Sequence, residues 1–123
     1  MDAARVVVIE DNDLIRLMVC ARLEEEGHSI VGQASNLDQA IESVEEISSG
    51  KIEADVIVAD ANLSSNYREP GEDIRAVAGK AKEEGLTTKI ILYSTYSMAD
   101  LGVEVDADSG KDIDEVVRAI ERF

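Results

Sequence analysis

The chain has no tryptophan, a single phenylalanine, a single proline and a single cysteine among its 123 residues. With only Cys20 available no intrachain disulfide can form, which fits a reducing compartment and leaves stability to a packed core. A chain of this length can bury roughly two-thirds of its unfolded surface without such staples, and Cys20, inside an apolar helical pattern, reads as one of the core groups. Long hydrophobic runs are also missing. No segment approaches the roughly 18 apolar residues of a membrane helix, and no basic-then-apolar leader opens the chain. The expectation is a cytoplasmic protein. Basic residues are scarce as well, 12 against 27 acidic ones, for a net charge of −15. That field repels nucleic acid and anionic membranes, while basic protein surfaces and divalent cations remain compatible with it.

What is present is a regular alternation of short β-branched runs with amphipathic segments. Val6–Ile9 reads as a first strand, with Asp13 as N-cap of a helix from 14 to 26 whose inner face is Ile15, Met18, Val19, Arg22 and Leu23. Gly27 stands at its C′ position, and His28 follows as an exposed loop residue. Ser29–Ala34 is a weaker strand. Asn36 and Gln39 then resemble a capping box for a second helix that runs to about Gly50. The third strand lies within 52–60, the third helix spans 71–84 and the fourth strand is Lys89–Tyr93. Residues 96–101 leave room for only one or two helical turns. Val103-Glu104-Val105 alternates like a short edge strand, and a last helix starts near Asp112. Five β-α units without repeats or linkers predict one domain over 1–123. Its fold would be α/β, a flavodoxin-like doubly wound (βα)5 domain with a five-stranded parallel sheet and a shortened fourth helix.

Several apolar runs end in polar groups: Glu10 and Asp11, Asp60, and Ser94-Thr95, with Lys111 after the last strand. In open α/β sheets these carboxyl ends share the ligand-binding edge. Carboxylates gathered there repel one another unless a positive charge sits among them. Magnesium, with its preference for carboxylate, water and phosphate oxygens, suits the set. An aspartate beside it can act as a nucleophile toward phosphorus.

These residues resemble the response-regulator receiver domain of two-component signalling: Val-Val-Val-Ile-Glu10-Asp11, Val-Ile-Val-Ala-Asp60 and Ile-Ile-Leu-Tyr-Ser94, in that order over essentially the whole chain. The resemblance implies that Asp60 accepts a phosphoryl group from a sensor histidine kinase or phosphotransfer protein. It implies Mg2+ (with Mn2+ as an alternative) held by Glu10, Asp11, Asp60 and the backbone carbonyl of Asn62. Ser94 would be the switch hydroxyl and Lys111 the phosphate-pairing lysine. Output would pass to a downstream protein, to a further domain of a longer regulator, or through a phosphorylation-dependent dimer. The protein would then be a phosphorylated switch and not a turnover enzyme.

The sequence departs from the family pattern at Lys111, which lies between Gly110 and Asp112; counting from Gly102, the family spacing falls on Ser109. The fourth helix is short, the fifth strand acidic, and the loop from 61 to 70, with Tyr67, Arg68 and Pro70, is long. A degenerate receiver serving as a phosphorylation-independent interaction module is the alternative. An aspartate-nucleophile phosphohydrolase is less well supported, because Asp60-Ala61-Asn62 lacks a second acid.

Overall fold

The computed structural model describes residues 1–63 and 69–123; Tyr67 and Arg68 of the long loop lie outside the described residues. Five strands, β1 (Arg5–Ile9), β2 (Ser29–Ala34), β3 (Val56–Ala59), β4 (Lys89–Leu92) and β5 (Ala107–Asp108), alternate with five helices. The helices are α1 (Asp13–Glu25), α2 (Leu37–Ser48), α3 (Glu72–Glu83), α4 (Met98–Leu101) and α5 (Ile113–Arg122). All strands are parallel in the order β2-β1-β3-β4-β5, the expected flavodoxin-like doubly wound sheet. The order in which strands are added reverses between β1 and β3, and ligand crevices form at such a point.

Each central strand divides its residues between two cores by simple alternation. Val6, Val8, Val56 and Val58 pack with Val19 and Leu23 of α1 and with Val116, Val117 and Ile120 of α5. Val7, Ile9, Ile57 and Ala59 pack with Val44 of α2, Ile74 and Val77 of α3, and Leu101 of α4. Burial on both faces is why β1 and β3 are unbroken apolar runs.

Four local expectations are corrected. Asn12, not Asp13, caps α1, its Oδ1 accepting from the Ile15 amide at 3.0 Å. Asp13 sits one residue later and pairs with Arg16 at 2.7 Å. Met18 is half exposed, with Leu14 and Leu17 more so, while Cys20 joins Val19 and Leu23 in the core. A second apolar stripe on α1 therefore overlaps the buried one. His28 is buried, because its Nδ1 accepts from the Ala4 amide at 3.0 Å where β1 begins.

The fifth strand lies at 107–108, not at 103–105. The Asp106 carboxylate accepts from the Ile90 amide at 2.8 Å, and the Asp106 amide donates to the Ile90 carbonyl at 3.0 Å. Val103 and Val105 lie partly buried against the α3-side core as irregular chain, so their alternation reflects packing without a ladder. The shortened α4 is a single turn, closed by a capping box between Ser97 and Asp100.

Candidate metal and phosphoryl site

The sheet register assembles the site. Ile9 pairs with Ala59 and Ala59 with Leu92, so Glu10, Asp60 and Tyr93 each stand one residue beyond a strand end, side by side. Backbone bonds hold them there: the Glu10 amide donates to the Ala34 carbonyl (2.9 Å), Asp60 to Ile9 (3.0 Å) and Tyr93 to Ala59 (2.8 Å). Glu10, Asp11 and Asp60 each bring one carboxylate oxygen to within 4.8 Å of the others. Glu10 is buried, Asp60 partly buried and Asp11 exposed, which leaves one open side.

Lys111 enters this group from the loop ahead of α5. Its Nζ is 3.4 Å from Glu10 Oε2 and 3.4 Å from Asp60 Oδ2, and 4.5 Å from the centre of the Tyr93 ring. The ring face offers the ammonium a further electrostatic contact. Burial pushes the Tyr93 hydroxyl above its ordinary pKa, with Lys111 acting in the opposite sense. Ser109, the other position considered for the lysine, is buried with its hydroxyl donating to the Leu92 carbonyl at 3.0 Å. Gly110 then takes φ +61°, a left-handed conformation that glycine adopts without the Cβ clash, and the chain returns Lys111 toward the carboxylates.

Electrostatics mark Glu10 as the strained member. Burial, and next the neighbouring Asp60 charge, raise its pKa to about 7, with Lys111 opposing the rise. A buried carboxyl resisting ionisation beside two further acids is the environment a divalent cation relieves. The donor set is all oxygen and fits a hard cation.

Ser94, buried beyond the end of β4, accepts the Tyr96 amide at its Oγ (3.1 Å). Asp60 Oδ1 accepts from the Ala61 amide (2.7 Å), and the side-chain Oδ1 of Asn62 accepts from the Gly71 amide (3.1 Å). Two contributors were not singled out from the sequence. Arg16 donates from Nη1 to the Glu10 carbonyl (2.8 Å) and from Nε to Gln33 (3.2 Å), which fixes the acidic turn. Its signal is a basic residue one turn into the helix that follows that turn. Tyr93 carries Lys111, and its signal is an aromatic at a strand end in a chain with few aromatics.

Solved structures similar to this chain include receiver domains. The signal receiver domain of the putative response regulator NarL from Mycobacterium tuberculosis aligns with a TM-score of 0.74 at 26% identity, over 99% of this chain and 96% of that one. The chemotaxis response regulator CheY4 of Vibrio cholerae gives 0.70 at 22% identity, over 98% of both chains. A variant of the receiver domain of the histidine kinase CKI1 from Arabidopsis thaliana gives 0.73 at 21% identity, over 97% of this chain and 87% of that one. No protein-family model and no curated protein matches the sequence. By architecture the chain thus has the fold of response-regulator receiver domains. Among the described residues no helix is long and apolar enough to cross a membrane.

Proposed function

We propose that this domain is a phosphoryl-accepting switch: Asp60 takes the group, Glu10, Asp11, Asp60 and the Asn62 carbonyl hold Mg2+ (or Mn2+), and Lys111 and Ser94 respond. The observation that carries this reading is the meeting of three carboxylates and one ammonium at the carboxyl edge of the sheet. In the step itself an Asp60 oxygen forms a bond to phosphorus as the bond from phosphorus to the donor nitrogen or oxygen breaks, the electron pair leaving with the donor. The bound cation supplies charge neutralisation for the phosphoryl oxygens. Lys111 turns from the carboxylates to those oxygens, and Ser94 releases the Tyr96 amide to donate to them. The domain is a switch in this reading, not a turnover enzyme, and its setting is cytoplasmic.

The test is intact mass after mixing with acetyl phosphate. One phosphoryl group should be gained with Mg2+ and none with EDTA; no adduct under either condition overturns the reading. The two-residue β5 and one-turn α4 favour a second reading, a phosphorylation-independent interaction module, and that null result would support it.

The donor is a sensor histidine kinase or phosphotransfer protein, and output passes to a protein partner, a further domain or a phosphorylation-dependent dimer. Leu14, Leu17 and Met18 stand exposed in a row on α1 just after the acidic turn, an apolar face suited to a protein surface. Leu17→Glu is expected to slow transfer from such a protein about tenfold or more while leaving transfer from acetyl phosphate unchanged. Equal slowing with both donors would remove α1 from the docking face.

For Lys111→Ala the expected effects have opposite signs. Removing a cation from among the acids should tighten Mg2+ binding several-fold. Phosphorylation should slow by about 10- to 100-fold, the size of one lost charge-assisted hydrogen bond in a partly buried site. Mg2+ titration and the mass time course read the two separately.

A further inference from the structure

The segment after Asp60 is bolted to α4 by one side chain. Arg75, near the start of α3, donates from Nη1 to the Leu101 carbonyl (2.6 Å) and the Pro70 carbonyl (3.1 Å), and its Nη2 lies 3.5 Å from Glu69 Oε1. The same segment is held at its other end by Asn62, whose Oδ1 accepts the Gly71 amide (3.1 Å). Gly71 itself lies directly against α4: a Cβ there would come within 2.9 Å of Leu101 Cβ and Cδ2. Leu101 is buried, so contact and hydrogen bonds run unbroken from Asn62 through Gly71 and Arg75 to the helical turn.

That turn cannot fix its own position. Four residues are far below the length at which a helix is stable alone, so α4 sits where its contacts put it. On its other side it is tied by the Met98 amide to Asp108 Oδ2 (3.0 Å), and Leu101 fills the core below. Arg75 is the charged group joining the acceptor segment to the helix's last carbonyl, a single donor shared by two pieces of backbone.

We infer that Arg75 is a positioning residue that couples the Asp60–Asn62 segment to α4, so that a change at the acceptor moves or frees that turn. That the change is phosphorylation rests on the function proposed above; the mechanical coupling does not.

Hydrogen exchange on the full chain tests the coupling through the amides of Leu101, Gly102 and Val103, which donate to the carbonyls of Ser97, Ala99 and Met98. Asn62→Ala and Arg75→Ala should each speed their exchange about tenfold, and Asn62→Ala should add less than about twofold once Arg75 is absent. Arg75→Lys keeps the charge, but its shorter side chain lacks the planar fork that serves the Leu101 and Pro70 carbonyls from Nη1 while Nη2 faces Glu69, so it should behave like Arg75→Ala even where the alanine variant is less stable. Full additivity of the two single effects, or wild-type exchange in Arg75→Lys, overturns the inference. With acetyl phosphate and Mg2+, Arg75→Ala should reach the same phosphorylated mass as wild type while losing most of the change in α4 exchange. An unaltered α4 response in that phosphorylated variant also overturns it. Absence of any adduct in wild type refutes the phosphoacceptor reading alone, and the Asn62–Arg75 comparison still decides the coupling.

Discussion

Asp60→Asn is expected to abolish phosphoryl uptake while making the unphosphorylated protein more stable by about 1 kcal/mol. The first effect follows because an amide oxygen is no nucleophile toward phosphorus at neutral pH, and no adduct should appear in the mass spectrum under conditions that saturate wild type. The second follows from the cost of bringing two acids together. Glu10 is buried, and the Asp60 charge is the second largest reason its carboxyl resists ionisation. Asparagine keeps an oxygen to accept the Ala61 amide, the bond that orients position 60, and removes the negative charge. Lys111 retains Glu10 as a partner. Urea unfolding of both proteins in EDTA measures the gain. A loss of stability would mean that the Lys111–Asp60 pair outweighs the repulsion. An adduct persisting in Asp60→Asn would move the acceptor elsewhere.

The two effects share one origin: three carboxylates meet around a single ammonium, so the site carries more negative charge than Lys111 offsets. This also bears on what the sequence could reveal. Strands buried on both faces appear as β-branched runs, and the polar residue ending each run is at the sheet edge by geometry alone, so Glu10, Asp60 and Ser94 were legible together with the α/β order. Features set by tertiary contact were not. His28 is buried with its Nδ1 accepting the Ala4 amide, and no local pattern encodes that long-range partner. On the inner face of α1, Ile15, Val19 and Leu23 pack inward as expected, while Met18 falls with Leu14 and Leu17 on an apolar stripe that stays exposed. Val103 and Val105 alternate like a strand yet pack as irregular chain, because pairing with β4 starts only at Asp106. The choice between Ser109 and Lys111 turns on the positive φ of Gly110, a backbone state that residue spacing does not register.

Glu10 should make the metal-free protein less stable as pH rises from about 4.5 to 7, by about 3 kcal/mol in all. Its folded-state pKa of about 7 lies above the ordinary 4.5. Between these values the folded state holds a proton that the unfolded chain has released. Stability from this group is therefore fully present below about 4.5, falls through the interval, and is level above 7. The remaining acidic surface repels itself more as pH rises and adds its own slope, so the readout is the difference between wild type and Glu10→Gln in urea unfolding with EDTA. The variant should lack this part of the slope and be the more stable protein at pH 7.5. Mg2+ should close most of that gap. The cation binds ionised Glu10, so its affinity for wild type should fall by up to about tenfold per pH unit below 7. At about one hundred times its dissociation constant it should restore about 3 kcal/mol to wild type, and far less to Glu10→Gln. A parallel pH slope in the two proteins would show that Glu10 ionises normally. A Glu10→Gln protein that still binds Mg2+ like wild type would take Glu10 out of the ligand set and leave its burial without a chemical purpose.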